Sequence, residues 1–353
     1  MKSLRTPWIY SPKFDLAAII GPPVMVTLVV LIFGHQMANI QQPTWLWILL
    51  VLGIDVAHVY SSLFRTYLDS EEFAKRRTVY LLVPALCWLV GVGLYLWAGP
   101  GAFWTCVAYF AIYHFVRQQY GFFMLYRRGE PTGGFEYRLD QITIYLTTLY
   151  PLLYWHTYPR AFQWFSDFEV IRIPWTWPEV SVRFVYLGCL AWFFWKEFRK
   201  PQFNVGKVSL LAATAAAWAT GIILFNGDLT FTLINIVSHG IPYMALVWIY
   251  QYRKIEKVGV ERNRFLKFFQ WRYVPIYLGA LFLLAFLEEG VWDWFVWKEH
   301  ASVFGATHVQ LSAVALAWLV PLLTMPQLTH YVLDGFIWRV NKKSGREVRA
   351  VID

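Results

Sequence analysis

Charge is the scarcest property of this sequence: of 353 residues only 15% are Asp, Glu, Lys or Arg, against about 25% in a soluble domain. Hydrophobic residues make up 58% and aromatic residues 20%, so there is too little polar surface for a water-soluble enzyme. Cysteine is nearly absent. Cys87, Cys106 and Cys189 stand singly in three separate apolar runs without Cys-x-x-Cys spacing, which argues against a disulfide framework and a thiolate metal site. There is no internal repeat, no low-complexity tract and no separate soluble domain. Nor does a small-residue cleavage site follow Lys2, Arg5 and Lys13, so the first apolar run is expected to be an uncleaved helix. Finally, no His-x-x-x-His or His-x-x-His-His box is present.

What is present is a series of apolar runs, each about 20 residues long and so able to cross a hydrocarbon layer about 30 Å thick. They lie at 16–35, 43–64, 79–98, 102–126, 141–158, 180–197, 208–225, 229–252, 273–290 and 305–338. The expected fold is all-α: a polytopic transmembrane helix bundle of about ten helices forming a single domain over residues 1–353. The last run is too long for one straight helix and contains Pro321 and Pro326, which are expected to kink or break it.

Loop charge supports that count. The net charge of +9 does not imply nucleic acid, because the basic residues fall in short connections between apolar runs. With sides alternating, one face receives the N-terminus, the 65–78 loop (Arg65, Lys75, Arg76, Arg77), the 127–140 loop (Arg127, Arg128, Arg138), the 196–207 and 253–272 loops and the C-terminal tail. By the positive-inside rule this face is cytoplasmic and holds both termini. The opposite face receives the 36–43 loop, the Gly99-Pro100-Gly101 turn and the Asn226-Gly227-Asp228 turn, none with Lys or Arg, and two longer segments around 159–179 and 291–304 with few. Trp45, Trp47, Trp155, Trp175, Trp177, Trp292, Trp294 and Trp297 cluster near run ends, as interfacial belts do. The implied location is a multi-pass integral protein of a bacterial inner (cell) membrane, surrounded by membrane lipids.

The chemistry rests on histidine. His35, His156, His300 and His308 fall at the non-cytoplasmic ends of runs, where interfacial solvation accounts for them. His58, His114, His239 and His330 lie within the second, fourth, eighth and tenth runs, at roughly 10–20 Å from the cytoplasmic end at 1.5 Å per residue. Ionisable groups at that depth cost a few kcal/mol unless partnered, and they usually face the protein interior or a wet cavity. Partners stand at helical spacing: Asp55 is i,i+3 to His58, Asp334 is i,i+4 to His330, Gln118 is i,i+4 to His114 and Tyr243 is i,i+4 to His239, so each pair shares a helical face. The tenth run carries Gln327 and Thr329 ahead of His330, with Pro326 just before them. One such histidine alone is more often a satisfied core residue, but four at similar depth, two with carboxylates, match the ligand set of non-haem iron, manganese or zinc. Two arginines enter at the same face: Arg65 reads equally as snorkelling to headgroups, and the deeper Arg117 as the partner of a carboxylate or an anionic group. Glu288, Glu289 and Asp293, at the other end of the ninth run, read as solvated.

The expected site therefore has His58, His114, His239, His330, Asp334 and Asp55 as metal ligands or orienters, with Tyr243, Gln118 and Arg117 as catalytic polar neighbours converging on one centre. The implied function is a membrane-embedded, metal-dependent oxidoreductase or oxygenase acting on a lipid or isoprenoid in a dry cavity, with electrons from a cytoplasmic donor. A proton- or ion-coupled transporter and a haem-binding electron carrier are the alternatives.

The layout of isolated intramembrane histidines from 58 to 334, with the His239-Gly240 dipeptide near a proline, resembles the bacterial membrane carotene-cleaving dioxygenases. That resemblance implies a histidine-ligated iron and molecular oxygen. The missing paired histidine boxes set the chain apart from membrane fatty acid desaturases and hydroxylases.

Overall fold

A computed structural model describes residues 8–37, 40, 42–158, 171–202, 204–225, 227–258, 268–306 and 309–338. Among them all regular structure is helical: α1 (Pro12–Met37), α2 (Thr44–Arg65), α3 (Ser70–Lys75), α4 (Arg77–Tyr126), α5 (Gly134–Thr157), α6 (Trp177–Phe198), α7 (Val205–Leu224), α8 (Asp228–Val258), α9 (Trp271–Trp297), α10 (Ala301–Phe304) and α11 (Ala313–Ile337). Seven of them, α1, α2, α4, α7, α8, α9 and α11, are long and apolar enough to cross a membrane. Their outer faces suit lipid: Met25 and Ile32 on α1, Val90 on α4 and Val314 on α11 are all more than half exposed, an arrangement that soluble monomers avoid.

The seven do not map one-to-one onto the ten apolar runs. At 50 residues, α4 would be about 75 Å long if straight, but it is not. Gly99 has φ 84° and ψ 171°, a conformation open to glycine because it lacks a Cβ, and Pro100 follows it. The Phe103 ring then lies 5.5 Å from that of Tyr95. In a straight helix those residues would stand about 12 Å apart along the axis, so the chain doubles back at the expected Gly-Pro-Gly turn. The runs at 141–158 and 180–197 form α5 and α6, which bury charged residues such as Asp140, Glu179 and Glu197. Among the described residues of the last run the helix spans Ala313–Ile337, and it continues through both prolines; Pro321 packs against Gly91, where a Cβ would approach the proline ring to 2.9 Å.

The chain divides into two compact units. The first comprises residues 1–41 and 112–242, the second 42–111 and 243–352. In the first, α5 packs on α6 and α7, and α1 on α7. Its core joins Val26, Val30, Val116, Leu152, Trp155, Ala217, Trp218 and Ile222. Gly34 is required there, since a Cβ would meet the Phe225 ring at 2.5 Å. In the second unit, α9 and α11 pack on α2, with cores around Trp47, Val51 and Leu52 and around Tyr80, Leu333 and Ile337.

Candidate metal centre

Each unit carries one pair of the four deep histidines, and all four are between 1 and 3% exposed. In the second unit, His58 stands on α2 just after a π-helical stretch, Ile48–Val56; such widened turns are frequent at functional sites. His330 stands on α11. Their rings are 5.1 Å apart at 80°, with ligand nitrogens within 4.8 Å of each other. His58 Nδ1 donates to the Ile54 carbonyl at 3.3 Å and lies 3.8 Å from Asp55. A carbonyl can only accept, so this bond puts the proton on Nδ1 and the lone pair on Nε2, the arrangement a metal-binding histidine needs.

Asp334 is 3.9 Å from His330 Nδ1, too far for a hydrogen bond. Instead its Oδ1 accepts the Tyr243 hydroxyl at 2.5 Å. The Tyr243 ring meets those of His330 and His58 edge-on at 4.8 and 6.0 Å. Tyr243 and Asp334 thus form a polar wall beside the pair.

In the first unit, His114 on α4 and His239 on α8 face each other with ring centroids 4.8 Å apart at 78° and ligand nitrogens again within 4.8 Å; Phe115 closes on His239 at 4.4 Å. Pro242 explains the local fold. Lacking an N–H, it leaves the Ser238 carbonyl one turn back without its helical donor, and the Gln119 amide approaches that oxygen at 3.5 Å. Gln118 donates to the neighbouring His239 carbonyl at 2.9 Å. The consecutive glutamines therefore tie α4 to α8 beside the histidines.

Two ligands at about 2.0–2.3 Å from one ion stand at most about 4.6 Å apart, so within each pair the nitrogens are already at or near bridging distance.

Other residues depart from expectation. Arg117 is exposed, donates to the Tyr145 hydroxyl and lies over the Tyr120 ring at 4.9 Å, so an aromatic pair rather than a carboxylate engages it. Arg65 does not snorkel. It is 2% exposed, 3.3 Å from Glu72 and 4.1 Å over the Tyr250 ring. Burial opposes ionisation of Glu72, but Arg65, the Tyr80 hydroxyl at 2.8 Å and Arg76 outweigh it and hold the carboxyl below its usual range.

Glu288 and Asp293 are bonded rather than solvated. Glu288 accepts from Tyr60 at 2.5 Å and Trp292 at 3.3 Å; Asp293 is 1% exposed and accepts the backbone N–H groups of Glu299 and His300 at 2.9 and 2.8 Å. Of the outlying histidines, His35 is exposed, His156 bonds its own helix through the Leu152 carbonyl, and His300 stacks on Trp47 at 3.7 Å; His308 lies outside the described residues.

Sequence reasoning missed an ion network in the first unit. Lys207, fully buried, reaches Glu130 at 2.7 Å, Glu197 at 3.0 Å and Asp140 at 3.5 Å. Asp140 also receives Lys196 at 2.6 Å and Arg127 at 2.8 Å. The three carboxylates lie close enough to hold a cation, but the Lys207 ammonium fills that role. Each charge falls at or beyond a run end, where interfacial solvation would explain it singly, so nothing in the sequence pointed to the network.

No protein-family model matches the chain, and no curated protein or solved structure is significantly similar to it.

Proposed function

We propose that this protein is a membrane-embedded, metal-dependent oxidoreductase, an oxygenase by preference, acting on a lipid or isoprenoid. One observation carries the proposal: two histidine pairs are buried in apolar helices, each with its nitrogens at or near metal-bridging distance. Burying four imidazoles in apolar helices is costly without such a return. His58, His330, His114 and His239 are the ligands. The Ile54 carbonyl orients His58, Asp55 adds a carboxylate 3.8 Å from the same nitrogen, and Asp334, its oxygen engaged by Tyr243, acts as an orienter through that phenol. Imidazole with nearby carboxylate suits non-haem iron best, with manganese or zinc as alternatives. The bound metal supplies redox chemistry; the chain supplies its ligands, fixes the His58 tautomer and keeps water out.

The clustering of Lys and Arg in alternate connections of the ten apolar runs supports a reading in which both termini and the electron donor lie on the cytoplasmic side of a bacterial inner membrane. A reporter fused to the C-terminus is expected to be active only in the cytoplasm.

Metal analysis and an absorption spectrum of the purified chain test the function. Non-haem iron or manganese supports it, and the ratio of metal to chain tells whether the two pairs take one ion or two. A Soret band favours the haem carrier, and a protein without metal favours the ion-coupled transporter.

A further inference from the structure

We propose that Tyr243 is a redox-active residue: it passes single electrons to the metal held by His58 and His330 while Asp334 keeps its proton, and Trp338 refills it from the cytoplasmic donor. The proposal rests on the reading of a redox metal at that pair, and it names the route by which electrons arrive. Tyr243 is 1% exposed. Its ring stands edge-on to those of His330 and His58 at 4.8 and 6.0 Å, and its hydroxyl donates to Asp334 Oδ1 at 2.5 Å. A phenol gives up an electron readily only if its proton can leave with it, because the oxidised phenol is a strong acid. The proton acceptor must therefore stand within hydrogen-bond reach beforehand. Asp334 does.

A buried tyrosine usually finds some partner for its hydroxyl, so the bond to Asp334 would be ordinary by itself. Its placement is not. The Trp338 ring lies edge-on to Tyr243 at 6.3 Å and 86°, within the range of aromatic pairs. Trp338 is partly exposed and caps the C-terminal end of α11, about 12 Å beyond His330 at 1.5 Å per residue and towards the Lys- and Arg-rich side. Two oxidisable rings thus stand in series between that side and the histidines. The first pair is built differently: the ring that closes on His239 is Phe115, which has no phenolic proton to give. Tyr331 also comes within 5.7 Å of His330, but its hydroxyl receives the Gln327 amide at 2.7 Å, a donor that cannot take a proton.

The step balances. One electron leaves Tyr243 for the metal, oxidised beforehand by dioxygen, and the phenolic O–H bond breaks as its proton bonds Asp334 Oδ1. The phenoxyl radical then takes one electron from Trp338 and the same proton back from Asp334, and the cytoplasmic donor reduces Trp338. The sum is one electron moved from donor to metal, with no proton lost.

The full-length protein loaded with ferrous iron in detergent, mixed with dioxygen without substrate and freeze-quenched for EPR, tests this. Wild type is expected to give a tyrosyl radical whose hyperfine pattern narrows when the protein is grown on β-deuterated tyrosine. Normalised to bound iron, Tyr243→Phe is expected to lose that signal and Tyr331→Phe to keep it. Asp334→Asn, which keeps the shape but cannot take the proton, is expected to cut the yield per iron several-fold. Trp338→Phe is expected to bind iron and form the radical as wild type does, but to lose it several-fold more slowly to added ascorbate. An undiminished signal in Tyr243→Phe, unchanged decay in Trp338→Phe, or no tyrosyl signal from iron-loaded wild type overturns the proposal. Iron content separates the two readings: iron bound without a radical sinks this proposal alone, and a chain that takes up no iron sinks the oxidoreductase with it.

Discussion

The phenol of Tyr243 donates to Asp334 at 2.5 Å, and its ring lies edge-on to the His330 ring 4.8 Å away. Asp334 therefore acts on the histidine pair through a third residue. Its carboxylate anchors the phenol, and the phenol walls the imidazole. Asp334→Asn keeps the volume and removes the charge, and Tyr243→Phe removes the donor. Since loss of an orienting partner typically costs 10–100-fold in metal affinity or activity, both variants are expected to bind the metal that much more weakly and to retain less of it through purification, while inserting normally. Metal content per chain and thermal unfolding in detergent check the two halves of that statement.

Lys207 is the centre of the ion network in the first unit. Lys207→Met leaves Glu197 and Asp140 without one cation each in a buried site, and breaking one partner out of such a network costs about 3–5 kcal/mol. A large drop in the unfolding temperature is expected, with histidine-bound metal unchanged in the fraction that remains folded. A thermal melt next to metal analysis measures both.

Glu72 gives the protein an acid limit. Its carboxyl is held below the usual range in the folded chain, so its contribution is fully present above the unfolded value, about 4.3, and is lost as pH falls through the lower folded value. Stability is expected to fall below about pH 4.3, and Glu72→Gln, which has no such carboxyl to protonate, is expected to be less stable at pH 7 and flatter with pH in that range. Melting curves of both proteins from pH 3 to 7 decide it.

Much of the helical layout was legible because lipid imposes one rule on every crossing segment: about 20 apolar residues with the backbone bonded internally. The Gly99-Pro100-Gly101 reversal and the burial of His58, His114, His239 and His330 accord with that rule. The pairing of His58 with His330 and of His114 with His239 did not follow from it, because which helix packs on which is decided by side-chain fit, as where Gly34 admits the Phe225 ring. Polar residues near run ends were misread for a related reason. Arg65, Glu288 and Asp293 look solvated when each is read on its own helix, and only packing brings Glu72, Tyr60 and the 298–300 turn to them. Arg117 erred the other way: its depth suggested an anionic partner, but the exposed face it occupies carries Tyr120 and Tyr145.

Metal content of the purified chain in single histidine variants decides whether the four buried histidines hold a metal. His58→Ala, His330→Ala, His114→Ala and His239→Ala are each expected to lose most of the bound iron or manganese, because each removes a ligand, whereas His35→Ala and His156→Ala are expected to keep it. If the four deep variants insert and retain the wild-type metal content, the histidines are packing alone and the account is wrong.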